Sequence, residues 1–178
     1  MRRRTFFLAA VLTAIATPLV SEPQIKTVPP VAATTLQKLL PAAEGWTKGD
    51  PRATEVVISP ESKYTYASAT YSKGDLKLLL TLADTGISSD SLTALAMMVI
   101  TLPEDYSEQV PPASTIKRVQ FAGSPAAEMW DGEKHAGEIT VLVGGRFVAK
   151  IEASKADTLD TLRTLLTQVD LKALAAVK

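Results

Sequence analysis

The sequence predicts an α+β fold: a largely antiparallel sheet of about six to seven strands with helices covering both faces. Three observations carry this. Short β-branched and apolar runs recur on either side of glycine turns, the pattern of successive hairpins. The run from Glu138 to Ala153, folded about Gly144-Gly145, is apolar on both strand faces, as expected in mid-sheet with cover on each side. Three longer stretches instead repeat their leucines at helical spacing.

The first 21 residues read as an export signal. Arg2, Arg3 and Arg4 form a positive head and Phe6 to Ile15 an apolar centre. Small residues then permit cleavage after Ala16, or later after Ser21. Arg3-Arg4-Thr5-Phe6-Phe7-Leu8 also resembles the twin-arginine export motif, though Arg2 stands where a polar residue is usual and no lysine follows. Both the twin-arginine and the general secretory route stay open. The uncharged stretch from Thr5 to Ser21 contains Pro18 and is short for a bilayer, so no membrane span is expected after cleavage. Residues 22–33 hold three prolines and read as a flexible lead-in to a single domain over 34–178.

Within that domain, Thr34 or Thr35 caps a helix carrying Leu36, Leu39 and Leu40, stopped by Pro41. Trp46 follows a Glu44-Gly45 turn as a lid on it. Strands are expected at Thr54–Ile58, Lys63–Ser72 and Leu76–Ala83. In the last of these, Leu76, Leu78, Leu80 and Leu82 share one face, with Leu79 and Ala83 on the other. Ser88 or Ser89 caps a helix with no charge from Ser91 to Pro103. Leu92, Leu95, Val99 and Leu102 make its stripe, while Met97, Met98 and Ile100 point elsewhere. Two readings stand for it: a buried helix lying across the sheet, or a methionine-lined surface for a partner or apolar ligand.

Glu104 to Ser114 reads as a proline-rich surface loop. Strands follow at Ile116–Phe121 and Pro125–Asp131 about an Ala122-Gly123 turn, and 131–137 is a polar turn. In the central hairpin, a two-residue glycine loop pairs Val143 with Arg146, Leu142 with Phe147 and Val141 with Val148. Lys155 to Val169 forms an amphipathic helix with Leu159, Leu162, Leu165, Leu166 and Val169 inward. Asp170 caps a last short helix carrying Leu171, Leu174 and Val177.

Composition excludes several functions. With no cysteine there is no disulfide, thiolate metal site, iron–sulfur cluster or lipidated cysteine, which suits an oxidising compartment. The whole chain is formally neutral, and loss of the three leading arginines makes it acidic. Nothing then attracts nucleic acid or an anionic membrane surface. No P-loop, dinucleotide fingerprint or nucleophile elbow is present; Gly123-Ser124-Pro125 lacks the second glycine of the elbow. His135, the single histidine, alternates with Asp131 and Glu133 in a set that suits a divalent cation. Against that, polar side chains in a short glycine-flanked turn are simply solvated, and a closed site needs further ligands that the sequence does not place. Tyr64, Tyr66 and Tyr71 are read as strand packing or as a stacking surface for a sugar or aromatic ligand. No catalytic, cofactor or metal residue is therefore assigned.

Four segments resemble a group of uncharacterised exported bacterial proteins: Leu39-Leu40-Pro41 with Glu44-Gly45-Trp46; Ala69 to Asp75; Gly123 to Asp131; and Val143 to Val148. They are turn and packing signatures and carry no functional residue over. The order of elements in the second half is also similar to the PsbP-like α/β sandwich, a fold of small non-catalytic accessory proteins. The expectation is a periplasmic or secreted accessory or binding domain without catalysis or cofactor, acting on an unknown protein or small-molecule partner. A carrier of an apolar molecule, and a small metal-dependent hydrolase at Asp131, Glu133 and His135, are the alternatives.

Overall fold

The computed structural model describes residues 28–59, 62–86, 107–110 and 114–178. The expected export signal and the uncharged helix after Ser89 lie outside the described residues. So do residues 104–106 and 111–113 of the expected proline-rich loop.

Among the described residues, nine strands form one antiparallel sheet. They are β1 (Thr47–Lys48), β2 (Arg52–Ser59), β3 (Ser62–Lys73), β4 (Leu76–Asp84), β5 (Ser107–Val110), β6 (Ser114–Phe121), β7 (Ser124–Asp131), β8 (Ala136–Val143) and β9 (Phe147–Ala153). The order across the sheet is β1-β3-β4-β9-β8-β7-β6-β5, and β2 also pairs with β3. β1 and β2 lie along the same edge of β3: Thr47 pairs with Ser72, then Arg52 with Ser68. One extra residue sits between them, beside Pro51, which gives the ladder no donor. The sheet is thus eight strands wide, and β9 and β8 are its fourth and fifth. The hairpin expected at the centre is at the centre.

Two short strands lie outside the sequence expectation. β1 spans two residues. β5 falls inside the segment read as loop and pairs with β6 at the far edge, Gln109 opposite Thr115. A four-residue polar strand before Pro111-Pro112 carries almost no alternation, and prolines are tolerated beside an edge.

One face of the sheet carries the core. Ala67, Ala69 and Tyr71 of β3, Leu78, Leu80 and Leu82 of β4, Ile139, Val141 and Val143 of β8, and Phe147, Ala149 and Ile151 of β9 form one buried cluster. Three helices pack on it: α1 (Ala33–Lys38), α2 (Leu159–Leu166) and α3 (Leu171–Ala175). Leu36, Leu162, Leu165, Leu166 and Leu174 are their fully buried residues. Each such side chain withdrawn from water contributes about 1.5–3 kcal/mol.

The helix ends correct the sequence reading twice. α1 begins after Ala32, with no side-chain cap. Thr34 and Thr35 lie in its first turn, where the Thr35 amide donates to the Ala32 carbonyl (2.8 Å). α2 begins at Leu159, so 155–158 are not helical, although Leu162, Leu165, Leu166 and Val169 point inward as expected. α3 starts as expected: the Asp170 carboxylate accepts from the Ala173 amide at 2.8 Å. Trp46 packs against the edge of the core.

The register of the central hairpin also differs by one residue. Val143 pairs with Phe147, Leu142 with Val148 and Val141 with Ala149. Gly144 and Gly145 do form the turn, with φ of 59° and 67°, and the Arg146 amide donates to the Val143 carbonyl. Arg146 is an extra, unpaired residue. Its guanidinium is held by a residue outside the hairpin: Nε donates to Asp84 Oδ1 (3.0 Å) and Nη2 to Asp84 Oδ2 (2.7 Å). A one-residue slip moves every later side chain to the opposite face. Phe147 therefore joins Val143 in the core, and Leu142 and Val148 lie on the other face.

Asp84, at the end of β4, is fully buried and also accepts from the Val31 and Gly86 amides. Arg146 further donates to the Pro29 carbonyl (3.0 Å), and Thr65 Oγ1 to the Val31 carbonyl (2.7 Å). The lead-in over 28–31, expected to be flexible, is stitched to the sheet. Gly86 is required here: its φ is +64°, and a Cβ would stand 2.8 Å from the Lys63 carbonyl. A second buried carboxylate, Glu128 of β7, is gripped at both oxygens by Arg163 of α2, which also binds Asp160. Those hydrogen bonds raise the Arg163 pKa.

Candidate functional site

Asp131, Glu133 and His135 do not assemble. Asp131 Oδ1 accepts from the Glu133 and Lys134 amides (3.1 and 3.0 Å), and Oδ2 pairs with Lys134 Nζ at 2.9 Å. The backbone bond from Lys134, then its side-chain bond, hold the Asp131 carboxyl below its usual range. His135 is exposed and has a φ of 52°. Its carbonyl accepts from the Ala156 amide at 2.7 Å, so it acts as a turn residue. Among the described residues, no three His, Asp or Glu side chains converge to hold a metal ion.

The tyrosines separate. Tyr71 is fully buried and donates to the Pro41 carbonyl (2.8 Å), and burial pushes its phenol up to about 12. Tyr64 and Tyr66 stack with ring centroids 6.2 Å apart on the face away from the helices.

The polar site the structure assembles lies on that outer face, within the central hairpin. Glu138 of β8 is directly opposite Glu152 of β9. Like charges facing each other across a ladder repel. Lys150 resolves this, with Nζ 3.1 Å from Glu138 Oε2 and 2.6 Å from Glu152 Oε2. Thr140 Oγ1 donates to Glu138 Oε1 at 2.9 Å. Burial pulls the Lys150 ammonium down, but the bonds to Glu152 and Glu138 outweigh it and its pKa is raised.

A cleft of about 340 Å³ opens beside these carboxylates, over the ends of β6 to β9. Its floor is one cross-strand row, Ile116–Met129–Glu138–Glu152, each residue the ladder partner of the next. Leu79 of β4 continues the row opposite Glu152 and lines a second cleft of about 440 Å³, which shares Ala136, Glu152 and Ala153 with the first. Volumes of this size suit a small molecule.

The sequence reading took both faces of the hairpin as apolar and passed over these residues. The signal was period-two alternation: Glu138 and Thr140 between Ile139 and Val141, then Lys150 and Glu152 flanking Ile151. Only the register brings the four together.

Comparison with protein-family models, curated proteins and solved structures finds no match to this chain. Among the described residues no helix is long and apolar enough to cross a membrane.

Proposed function

We propose that this chain is an exported, non-catalytic binding domain of the bacterial cell envelope that engages its partner on the outer face of the sheet. One observation carries the reading: a cleft lies beside charged side chains that are already ion-paired with one another on the central hairpin. Groups committed to mutual ion pairs on rigid strands suit recognition better than proton transfer, which needs a group free to exchange its proton. The arginine-headed N-terminus supports export. The sandwich arrangement, with helices on both faces and a PsbP-like order, belongs to the same proposal. Its support is that Leu142 and Val148, on the face away from the three helices, are each only 5% exposed.

The experiment is native mass spectrometry of the protein isolated from its own host's envelope, with N-terminal sequencing and a turnover screen on the same sample. The expected result is an N-terminus after Ala16 or Ser21, a bound non-covalent species and no turnover. A cytoplasmic, unprocessed protein, or turnover abolished by His135→Ala, overturns the reading.

The carrier of an apolar molecule is the second reading, favoured by Ile116, Met129 and Leu79 in the cleft walls. Co-purified lipid in the same spectrum selects it. Metal-dependent hydrolysis at Asp131, Glu133 and His135 gains no support from the geometry, because Asp131 is already saturated by its own turn and Lys134.

A further inference from the structure

The smaller cleft has a definite charge. Three of its lining residues are carboxylates, Asp131, Glu138 and Glu152, and no lysine or arginine is among the described residues that line it. Asp131 is neutralised from outside by Lys134, and Glu138 and Glu152 share the single ammonium of Lys150. Three carboxylates thus meet two ammonium groups. Lys150 and Thr140 hold the two glutamates from the next row of the ladder. The rest of the wall is apolar: Ile116 and Met129 on the floor, with Ala136 beside them. An anion entering here meets repulsion, and a neutral molecule gains nothing from the acidic end. A cation attached to an apolar body satisfies both halves of the wall.

Resting on the binding-domain reading above, we infer that this cleft binds a small organic monocation. Its cationic head lies against Glu138 and Glu152, and its apolar body lies across Met129 and Ile116. Trp130, the next residue along β7, turns its ring to the other face, against Gly137 and Leu159, so the apolar part of the cleft is aliphatic and thioether. Lys77, two residues before Leu79 along β4, lines the neighbouring cleft together with the shared Glu152 and not this one.

The test is isothermal titration calorimetry of the full chain with three probes of matched ring and reach: phenethylammonium, 2-phenylethanol and 3-phenylpropionate. The cation is expected to bind roughly tenfold tighter than the alcohol, and the carboxylate weakest. Glu152→Gln should bring the cation down to the alcohol's affinity without moving the alcohol. Met129→Lys, which fixes a cation in the cleft, should abolish cation binding while circular dichroism stays native. Equal affinity for cation and alcohol, preference for the carboxylate, or no effect of Glu152→Gln on the cation overturns the assignment. Binding of none of the three also overturns it. None of these results touches the binding-domain reading, which falls only to the envelope and turnover measurements.

Discussion

Arg146→Met is the sharpest test of what holds this fold together. The methionine keeps the apolar stem and removes the guanidinium, leaving Asp84 with only the Val31 and Gly86 amides. Asp84 is fully buried, and the Arg146 side chain is 21% exposed. Breaking a buried pair by deleting one partner costs about 3–5 kcal/mol, because the remaining charge has lost its compensation. The partial exposure of Arg146 places the expected cost near 3 kcal/mol, at the lower end of that range. For a domain of this size each kilocalorie moves the midpoint by roughly 2–4 °C, so the melting temperature should fall by about 6–12 °C. The contact between Arg146 Nη2 and the Pro29 carbonyl is lost with it, so 28–31 should become more open to proteolysis. The assay is urea and thermal unfolding followed by circular dichroism, with Asp84→Asn and the double variant completing the cycle. If the double variant is as unstable as the two single losses added together, the residues are uncoupled and the reasoning fails.

Two further outcomes follow from packing and ionisation. Leu162→Ala removes a fully buried side chain between α2 and the sheet; it should cost about 2–5 kcal/mol in urea unfolding, and less than 1 kcal/mol would mean that α2 does not close the core. Tyr71 has its phenol raised by burial to about 12, so the folded state holds that proton more tightly than the unfolded chain. Its contribution to stability is fully present below pH 10 and is lost as pH rises from about 10 through 12. The alkaline unfolding limb should be shallower in Tyr71→Phe. Tyrosinate absorbance titrating fully at an ordinary pH in the folded protein would refute this.

Much of the architecture was written in local patterns. The Ala122-Gly123 turn, with φ of 50° and 79°, joins β6 to β7 as expected, Phe121 opposite Ser124. Leu78, Leu80 and Leu82 fall on the core face, and Asp170 caps α3. These depend on neighbours within a few residues. The register of the central hairpin sets Arg146 outside the ladder, where it pairs with Asp84, a residue 62 positions away that no local pattern connects to it. β1 and β5 are too short for alternation to show. The candidate site was hidden for the same reason as the register. Glu138, Lys150 and Glu152 look like scattered surface charges until the ladder puts them in adjacent rows.

The pairing of β4 with β9 has a consequence for the order of events in synthesis. Leu78 meets Ala153, and every other contact in that ladder also waits for the last strand of the sheet. Until Phe147–Ala153 has been synthesised, the first meander carries a naked flank of leucines. Such a flank invites mispairing with other copies. Distant pairings of this kind also assemble slowly. That flank stays open until Phe147–Ala153 arrives to cover it.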